Sequence, residues 1–395
     1  MKMQIVRFGD LYAIPSGNGL SRPTAVRGEG YRMIGMGELF ANDIINDIEM
    51  DRVQMSDREK QSFFVEPDDL LFARQSLVAA GAGKCSIVKE LEEPTTYESH
   101  LIRVRLDKNK CNPWYYYYLF KLPDNPIKTI VNQCAQAGIR GNELVKIKVP
   151  LPQRPCQDRI VSVLSSYDKL IEANNKRIKV LEQMAENLYK EWFVRFRFPD
   201  YETIEFENGV PKGWEYSTLG RFALIEMGQS PESKYYNYDS IGLPFHQGVG
   251  SYGDYYLIDD MYSSQGNRIG EPNSIIFSVR APVGRINMTL KKIILGRGVA
   301  AINSREGYNW FLLYMLKNRF KLDDMIGNGS IFSAVKKEEL QNQKFLIPPT
   351  SLVKKYDYIA KQIERQMRLL YLSSANLIQQ RDLLLPRLMS GKLEV

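Results

Sequence analysis

DRIVSVLSSYDKLIEANNKRIKVLEQMAENLYKEWF, residues 158–193, decides how this chain is built. Apolar residues return every three or four positions: Leu164, Tyr167, Ile171, Ile178, Leu181, Ala185, Leu188 and Trp192, with Asn174 in the same stripe. That is a heptad seam, and it predicts a single helix about 50 Å long at about 1.5 Å per residue. So long a seam cannot be buried by its own helix and needs a second one beside it. The C-terminal stretch from about Val353 to Leu388 supplies it, with Tyr356, Ala360, Ile363, Met367, Leu370, Ser374, Leu377, Arg381, Leu384 and Leu388 at the same period. Asn174, Ser374 and Arg381 put polar groups into these seams. Such positions cost stability but fix register and orientation. Two helices packed on separate domains are the alternative; the matching period and length favour mutual pairing.

The rest of the sequence is organised around these helices as two copies of one unit. Pro-containing, strand-like runs precede both: Lys146-Ile-Lys-Val-Pro-Leu-Pro152 and Lys344-Phe-Leu-Ile-Pro-Pro349. Pro113-Trp-Tyr-Tyr-Tyr-Tyr-Leu-Phe-Lys121 matches Asn309-Trp-Phe-Leu-Leu-Tyr-Met-Leu-Lys317, and Ser99–Arg105 matches Gly296–Ile302. Leu71-Phe72 matches Ile276-Phe277 at a slightly larger offset, which implies a short insertion. The shared order and spacing of these landmarks indicate a tandem duplication: unit, helix, unit, helix. Each unit mixes short β-rich runs with one aromatic helix, an α+β composition. A Pro- and Gly-rich segment between Phe198 and Trp214 links the first helix to the second unit. The expected boundaries are 1–152 and 199–349 for the units, and 153–198 and 350–395 for the helices.

Bulk properties narrow the function. At 395 residues, 44% hydrophobic and 25% charged, the chain is folded and holds more than one domain. A net charge of +7 favours a polyanionic partner. Cys85, Cys111, Cys134 and Cys156 form no CxxC pair, which argues against a disulfide framework or zinc knuckle and fits a reducing cytoplasm. The N-terminal Met-Lys-Met-Gln-Ile-Val-Arg has no apolar core of signal-peptide length, and no run of about eighteen apolar residues, as a membrane span needs, is present.

Motifs for catalysis do not hold up. Gly248-Val-Gly-Ser-Tyr-Gly253 fits GxGxxG, yet Asp254–Ile258 after it reads as a strand where a dinucleotide site needs a helix. Gly81-Ala-Gly-Lys84 lacks the first glycine of a phosphate loop. His100 and His246 are the only histidines, with no carboxylate cluster beside them in sequence, so metal and His-dependent acid–base chemistry lack support. The Asp/Asn-Pro-Pro-aromatic tetrapeptide of amino-methyltransferases is missing, and no P-x-D…E-x-K nuclease pattern stands out.

What does recur is a strand that delivers a basic loop. Ile275–Phe277 leads into Arg280 and Arg285, with Gly284 allowing close backbone approach; Leu295-Gly-Arg-Gly298 follows with Arg297 between two glycines. Upstream, His246, Gln247 and Ser251 fall on what reads as a flexible loop. The first unit offers Arg74, Gln75, Ser76 and Lys84 after Leu71-Phe72, and Arg140 after Gly138. Gln can bind adenine through two hydrogen bonds and Arg can bind guanine or phosphate, so such loops suit base-edge reading. Tyr115–Tyr118 suggest base stacking, but helical spacing makes them core residues. Two reading heads joined by a spacer about 50 Å long predict a bipartite target, with half-sites about one to one-and-a-half helical turns apart.

The residues from Pro155 to Phe193, the exit Arg195-Phe-Arg-Phe-Pro199 followed by Pro211-Lys-Gly-Trp-Glu215, Phe277-Ser-Val-Arg-Ala-Pro-Val-Gly284 with Gly296-Arg-Gly-Val-Ala-Ala301, and Arg381-Asp-Leu-Leu-Leu-Pro-Arg-Leu-Met-Ser-Gly-Lys-Leu393 together resemble the DNA-specificity subunits of type I restriction-modification systems. The resemblance implies two tandem target recognition domains separated by a pair of long antiparallel coiled-coil helices. It implies no catalytic activity in this chain, and a role in double-stranded DNA recognition. It further implies docking of two methyltransferase subunits, which bring S-adenosylmethionine, and admits two ATP-driven restriction subunits; this chain itself is expected to bind no cofactor or metal. The residues expected to contact DNA are Arg74, Gln75, Lys84 and Arg140 in the first unit, and Gln247, Arg280, Arg285 and Arg297 in the second. Ala73-Arg-Gln-Ser-Leu77 departs from the Ser-Val-Arg-Ala-Pro pattern of the second loop. A self-contained DNA methyltransferase or nuclease is the enzymatic alternative, and a coiled-coil scaffold the structural one. The scaffold leaves the duplicated basic loops unexplained.

Overall fold

The computed structural model describes residues 4–76, 81–133, 137–320 and 334–393; Cys134 and residues 77–80 of the first loop lie outside them. The chain folds as two compact units: Met1–Glu172 with Ser374–Val395, and Ala173–Ser373. Each unit takes in one half of each long helix.

In the first unit the strand Leu70–Ala73 lies between Leu101–Val104 and Cys85–Val88, antiparallel to both, with Phe72 opposite Ile102 and Cys85. All three strands are buried along their length, which explains their near-continuous apolar sequence. Gln4–Arg7 pairs antiparallel with Lys148–Leu151, so the start of the unit closes on its end. The helix Pro113–Phe120 begins with proline in its first turn, and Asn112 accepts the Trp114 N–H as its cap. Tyr115, Tyr116, Tyr117 and Tyr118 are all buried, as core residues rather than a stacking platform.

The second unit repeats this plan. Ile275–Ser278 lies between Val299–Ser304 and Ile286–Met288, antiparallel to both, with Phe277 opposite Ala300 and Ile286. Glu215–Thr218 pairs with Lys344–Ile347, and the aromatic helix spans Asn309–Arg319. A second sheet pairs Leu243–His246 parallel to Ile293–Leu295. The expected strand over Asp254–Ile258 does not form. That segment makes only single bridges, Tyr252 to Leu257 and Tyr256 to Met288, because a turn folds Leu257 back onto Tyr252.

The central helix runs from Arg154 to Tyr189 and ends in a π-helical turn over Lys190–Val194; the distal helix runs from Thr350 to Met389. In the first unit Cys156, Ile160 and Leu164 share a core with Leu385, Leu388 and Met389, while Asp168 meets Arg381 further along. In the second unit Ala185, Tyr189 and Trp192 pack with Tyr356 and Ala360, and Tyr356 Oη donates to the Ala185 carbonyl at 2.9 Å. Within each unit the start of one helix meets the end of the other, an antiparallel pairing. Seam residues Asn174 and Ser374 are buried, and Ser374 Oγ has no hydrogen-bond partner among the described residues.

The duplication reaches single hydrogen bonds. Tyr118 Oη donates to Asp168, and Tyr314 Oη donates to Glu364 Oε1 at 2.6 Å. Both members of the second pair stand 196 positions after those of the first. Arg381 sits 2.6 Å from Asp168 and balances its charge. Glu364 forms no salt bridge with an arginine among the described residues: burial pushes its carboxyl up, and the Tyr314 hydrogen bond and the Lys317 charge only partly offset that.

Candidate nucleic-acid interface

In the second unit, parallel pairing sets Phe245 opposite Ile294 and His246 opposite Leu295, so both strands deliver loops at one end. Gly296 N–H donates to the His246 carbonyl at 2.8 Å, and Gly298 N–H to the Gln247 carbonyl at 3.0 Å. The Gly298 carbonyl accepts from Val279 N–H at 2.9 Å, and the Val279 carbonyl from Val335 N–H at 2.8 Å. Ser230 Oγ accepts Arg297 N–H at 3.1 Å and Gln247 Nε2 at 3.4 Å. One run of hydrogen bonds thus gathers the loops carrying Gln247, Arg280 and Arg297. Glycine is required on both sides of Arg297. A Cβ on Gly298 would lie 2.2 Å from the Gln247 carbonyl oxygen, and one on Gly296 2.8 Å from the α-carbon of Gln247.

Arg280 and Arg285 flank the turn that joins Ile275–Ser278 to Ile286–Met288. Ser278 Oγ closes it, donating to the Pro282 carbonyl at 2.7 Å and accepting Arg285 N–H at 2.8 Å, while Gly284 takes φ +88°. Gln247, Arg280, Arg285 and Arg297 are all exposed. The arrangement presents a glutamine and three arginines to solvent on a backbone that hydrogen bonds hold in place.

Two residues expected on a flexible loop are not loop residues of that kind. His246 ends a strand, is fully buried and cannot reach a base. Its Nδ1 lies 2.9 Å from Ser251 Oγ and its Nε2 3.0 Å from Asp259 Oδ1, and Asp259 Oδ2 pairs with Lys291 at 2.7 Å. Burial raises the Asp259 carboxyl, but His246 and Lys291 outweigh it and hold the group below the usual range. Asp259 stands thirteen positions after His246, so no local pattern announces the contact. Ser251, also buried, donates to the Gly248 carbonyl at 3.2 Å. Although Ser, His and Asp are in contact, the imidazole is closed to solvent, and the cluster anchors the 247–251 loop from behind.

The first unit builds a looser counterpart. Arg74 N–H donates to the His100 carbonyl at 2.8 Å, and the Arg74 carbonyl accepts Ile139 N–H at 2.9 Å. Gln75–Ser76 pairs with Ala137–Gly138, Gln75 opposite Gly138. Arg74, Gln75 and Arg140 therefore meet at one edge, the first two half-buried and Arg140 exposed. Lys84 is tied inward: its Nζ donates to the Phe40 carbonyl at 2.6 Å, pairs with Asp43 at 3.3 Å and sits over the Phe40 ring. Sequence reasoning missed Ser230, which lies 17 positions before Gln247 and acquires a role only when the loops meet. Among the described residues no three His, Cys, Asp or Glu side chains are grouped to hold a metal, and no helix is long and apolar enough to cross a membrane.

A tandem α+β chain with two loop-bearing units and shared long helices defines a class. The chain belongs to the type I restriction-modification DNA specificity family, whose profile, "Type I restriction modification DNA specificity domain", matches residues 2–183 and 211–368. Among its relatives is a Methanocaldococcus jannaschii protein named as the candidate specificity subunit of type I restriction enzyme MjaX. It is 33% identical over 275 residues, 68% of this chain and 65% of that one. The type I restriction enzyme MjaIX specificity subunit of the same organism is 27% identical over 71% of this chain and 69% of its own. The matched stretch thus spans about two thirds of each relative. A solved type I restriction-modification S subunit from M. genitalium shares the fold, with a TM-score of 0.56 at 14% identity over 98% of this chain and 96% of that one.

Proposed function

We propose that this chain is the DNA-reading, non-catalytic subunit of a type I restriction-modification complex, and that each unit reads one half of a bipartite double-stranded target. Family membership supports DNA recognition. The observation that carries the finer reading is the hydrogen-bonded gathering of Gln247, Arg280 and Arg297 at one end of the second unit, with Arg74, Gln75 and Arg140 gathered at one edge of the first. In this reading Lys84 is held by Asp43 and Phe40 rather than touching DNA. The central helix of 36 residues, about 54 Å at about 1.5 Å per residue, is the proposed spacer between half-sites. Two methyltransferase subunits bring S-adenosylmethionine to the bound target, and the same complex admits two ATP-driven restriction subunits.

The test is genome-wide mapping of methyladenine in cells with and without this chain. Loss of methylation at one bipartite motif on deletion, and its return on re-expression, is the expected result. An unchanged methylation map sinks the proposal. Methyl transfer by the purified chain alone would assign it to the self-contained methyltransferases instead.

A further inference from the structure

Beside the Gln247–Arg297 loops lies a cleft of about 220 Å³ with an evenly mixed polar and apolar lining, in which Gln229, Ser230, Gln265 and Asn267 join Pro231 and Tyr235. Its walls hang from the strand that presents Arg297. Gln229 N–H donates to the Leu295 carbonyl at 2.9 Å, and Leu295 N–H donates to the Arg268 carbonyl at 2.8 Å. Ser230 in the cleft is the residue whose Oγ accepts from both Gln247 and Arg297. Gly266 forms the closest approach: a Cβ there would meet the Ile294 side chain at 2.5 Å. Only glycine lets this turn lie flat on Ile293–Leu295, and that places Gln265 and Asn267 on either side of it.

We propose that this cleft extends the reading surface of the second unit, and that the carboxamides of Gln265 and Asn267 recognise an adenine edge. The inference rests on the DNA-reading function above and names residues of the same head. Gln229, Gln265 and Asn267 are exposed, and their side chains are not engaged in hydrogen bonds or ion pairs among the described residues. A carboxamide offers a donor and an acceptor side by side, the complement of adenine N7 and N6 in the major groove. Glu232 at the rim, paired with Lys234 at 2.7 Å, opposes phosphate but can accept from an exocyclic amine. The cleft is therefore suited to base edges, while the neighbouring arginines are suited to guanine or phosphate.

The experiment selects duplexes from a random library with the full-length chain in complex with its methyltransferase subunits, comparing the native chain with Gln265→Ala, Asn267→Ala, Gln265→Glu and Asn267→Asp. The alanine variants are expected to lose preference for adenine at one position of one half-site, by about 5- to 150-fold against the substituted duplex, with the other half unchanged. The acidic variants should move that position toward cytosine, since a carboxylate accepts from its N4 amine; a shift of preference shows that the variants remain folded. Unchanged base preference in all four variants, with the native chain still selective, overturns the cleft assignment alone. An equal loss on every sequence assigns the cleft to the DNA backbone and overturns it as well. A native complex without sequence preference overturns both this inference and the function on which it rests.

Discussion

Arg280 stands exposed at the head of its turn, with a backbone fixed through Val279 to Gly298 and Val335 and a side chain without a hydrogen-bond or ion-pair partner among the described residues. Replacing it with alanine removes only what the guanidinium touches, because the turn is closed by Ser278. Arg280→Ala is expected to weaken binding to the cognate duplex by about 1–3 kcal/mol while leaving random duplexes nearly unaffected. A gel-shift titration on both checks it; equal loss on both assigns Arg280 to a phosphate. Glu364 poses the opposite case, a carboxyl held where ionisation is costly. It is 4% exposed and faces Tyr314, Lys317 and Glu182, and burial raises its pKa above the ordinary value of 4.5. With the folded pKa above the unfolded one, its contribution to stability is full below about pH 4.5 and is lost as pH rises through the folded value. Glu364→Gln keeps an acceptor for Tyr314 without the charge. The second unit should then gain about 1–3 kcal/mol near pH 7.5 and little at pH 4. Thermal melts at the two pH values decide this, and an equal gain at both would remove ionisation from the explanation.

Elements set by local periodicity were legible in the sequence. Leu164, Ile178, Ala185 and Trp192 follow a spacing that needs no tertiary knowledge, and all are buried. The strand-and-loop device was legible for a similar reason, because glycine on each side of Arg297 answers to a backbone approach that any larger residue would block. Residues whose roles come from distant partners were not legible. Asp357 on the distal helix accepts the N–H groups of Trp310 at 2.9 Å and Phe311 at 3.0 Å, capping a helix some forty-six positions away, and in sequence it reads only as a polar face. His246 reads as a loop residue because its partners, Ser251 and Asp259, declare themselves only in the fold. The central helix gives a direct check on the periodic reading. Leu164 is fully buried, whereas Leu170, six residues on, is 53% exposed. Leu164→Ala should cost the first unit about 2–5 kcal/mol in denaturant unfolding, and Leu170→Ala no more than about 0.5 kcal/mol. Similar costs at the two positions would mean that the helix does not bury the face assigned to it.

At the scale of the whole chain, duplication makes a claim that no single element can make. Each unit has its own core, one around Phe72, Tyr116 and Leu164, the other around Phe277, Tyr314 and Tyr356. Arg74 is tied through its backbone to His100 and Ile139, while Arg280 is held through Val279 by Gly298 and Val335, so the two share no backbone partner among the described residues. In the proposed reading the net charge of +7 attracts any duplex, and selectivity is assigned to each loop set separately. Groups without shared partners contribute additively, to within about 0.5 kcal/mol. Arg74→Ala should therefore relax base preference in one half of the target and Arg280→Ala in the other. The doubly substituted chain should lose the sum of the two single losses on the cognate duplex. Library selection reads the first expectation and equilibrium titration the second. A coupling above about 1 kcal/mol, or relaxation of both halves by either substitution alone, would mean that neither head reads without the other.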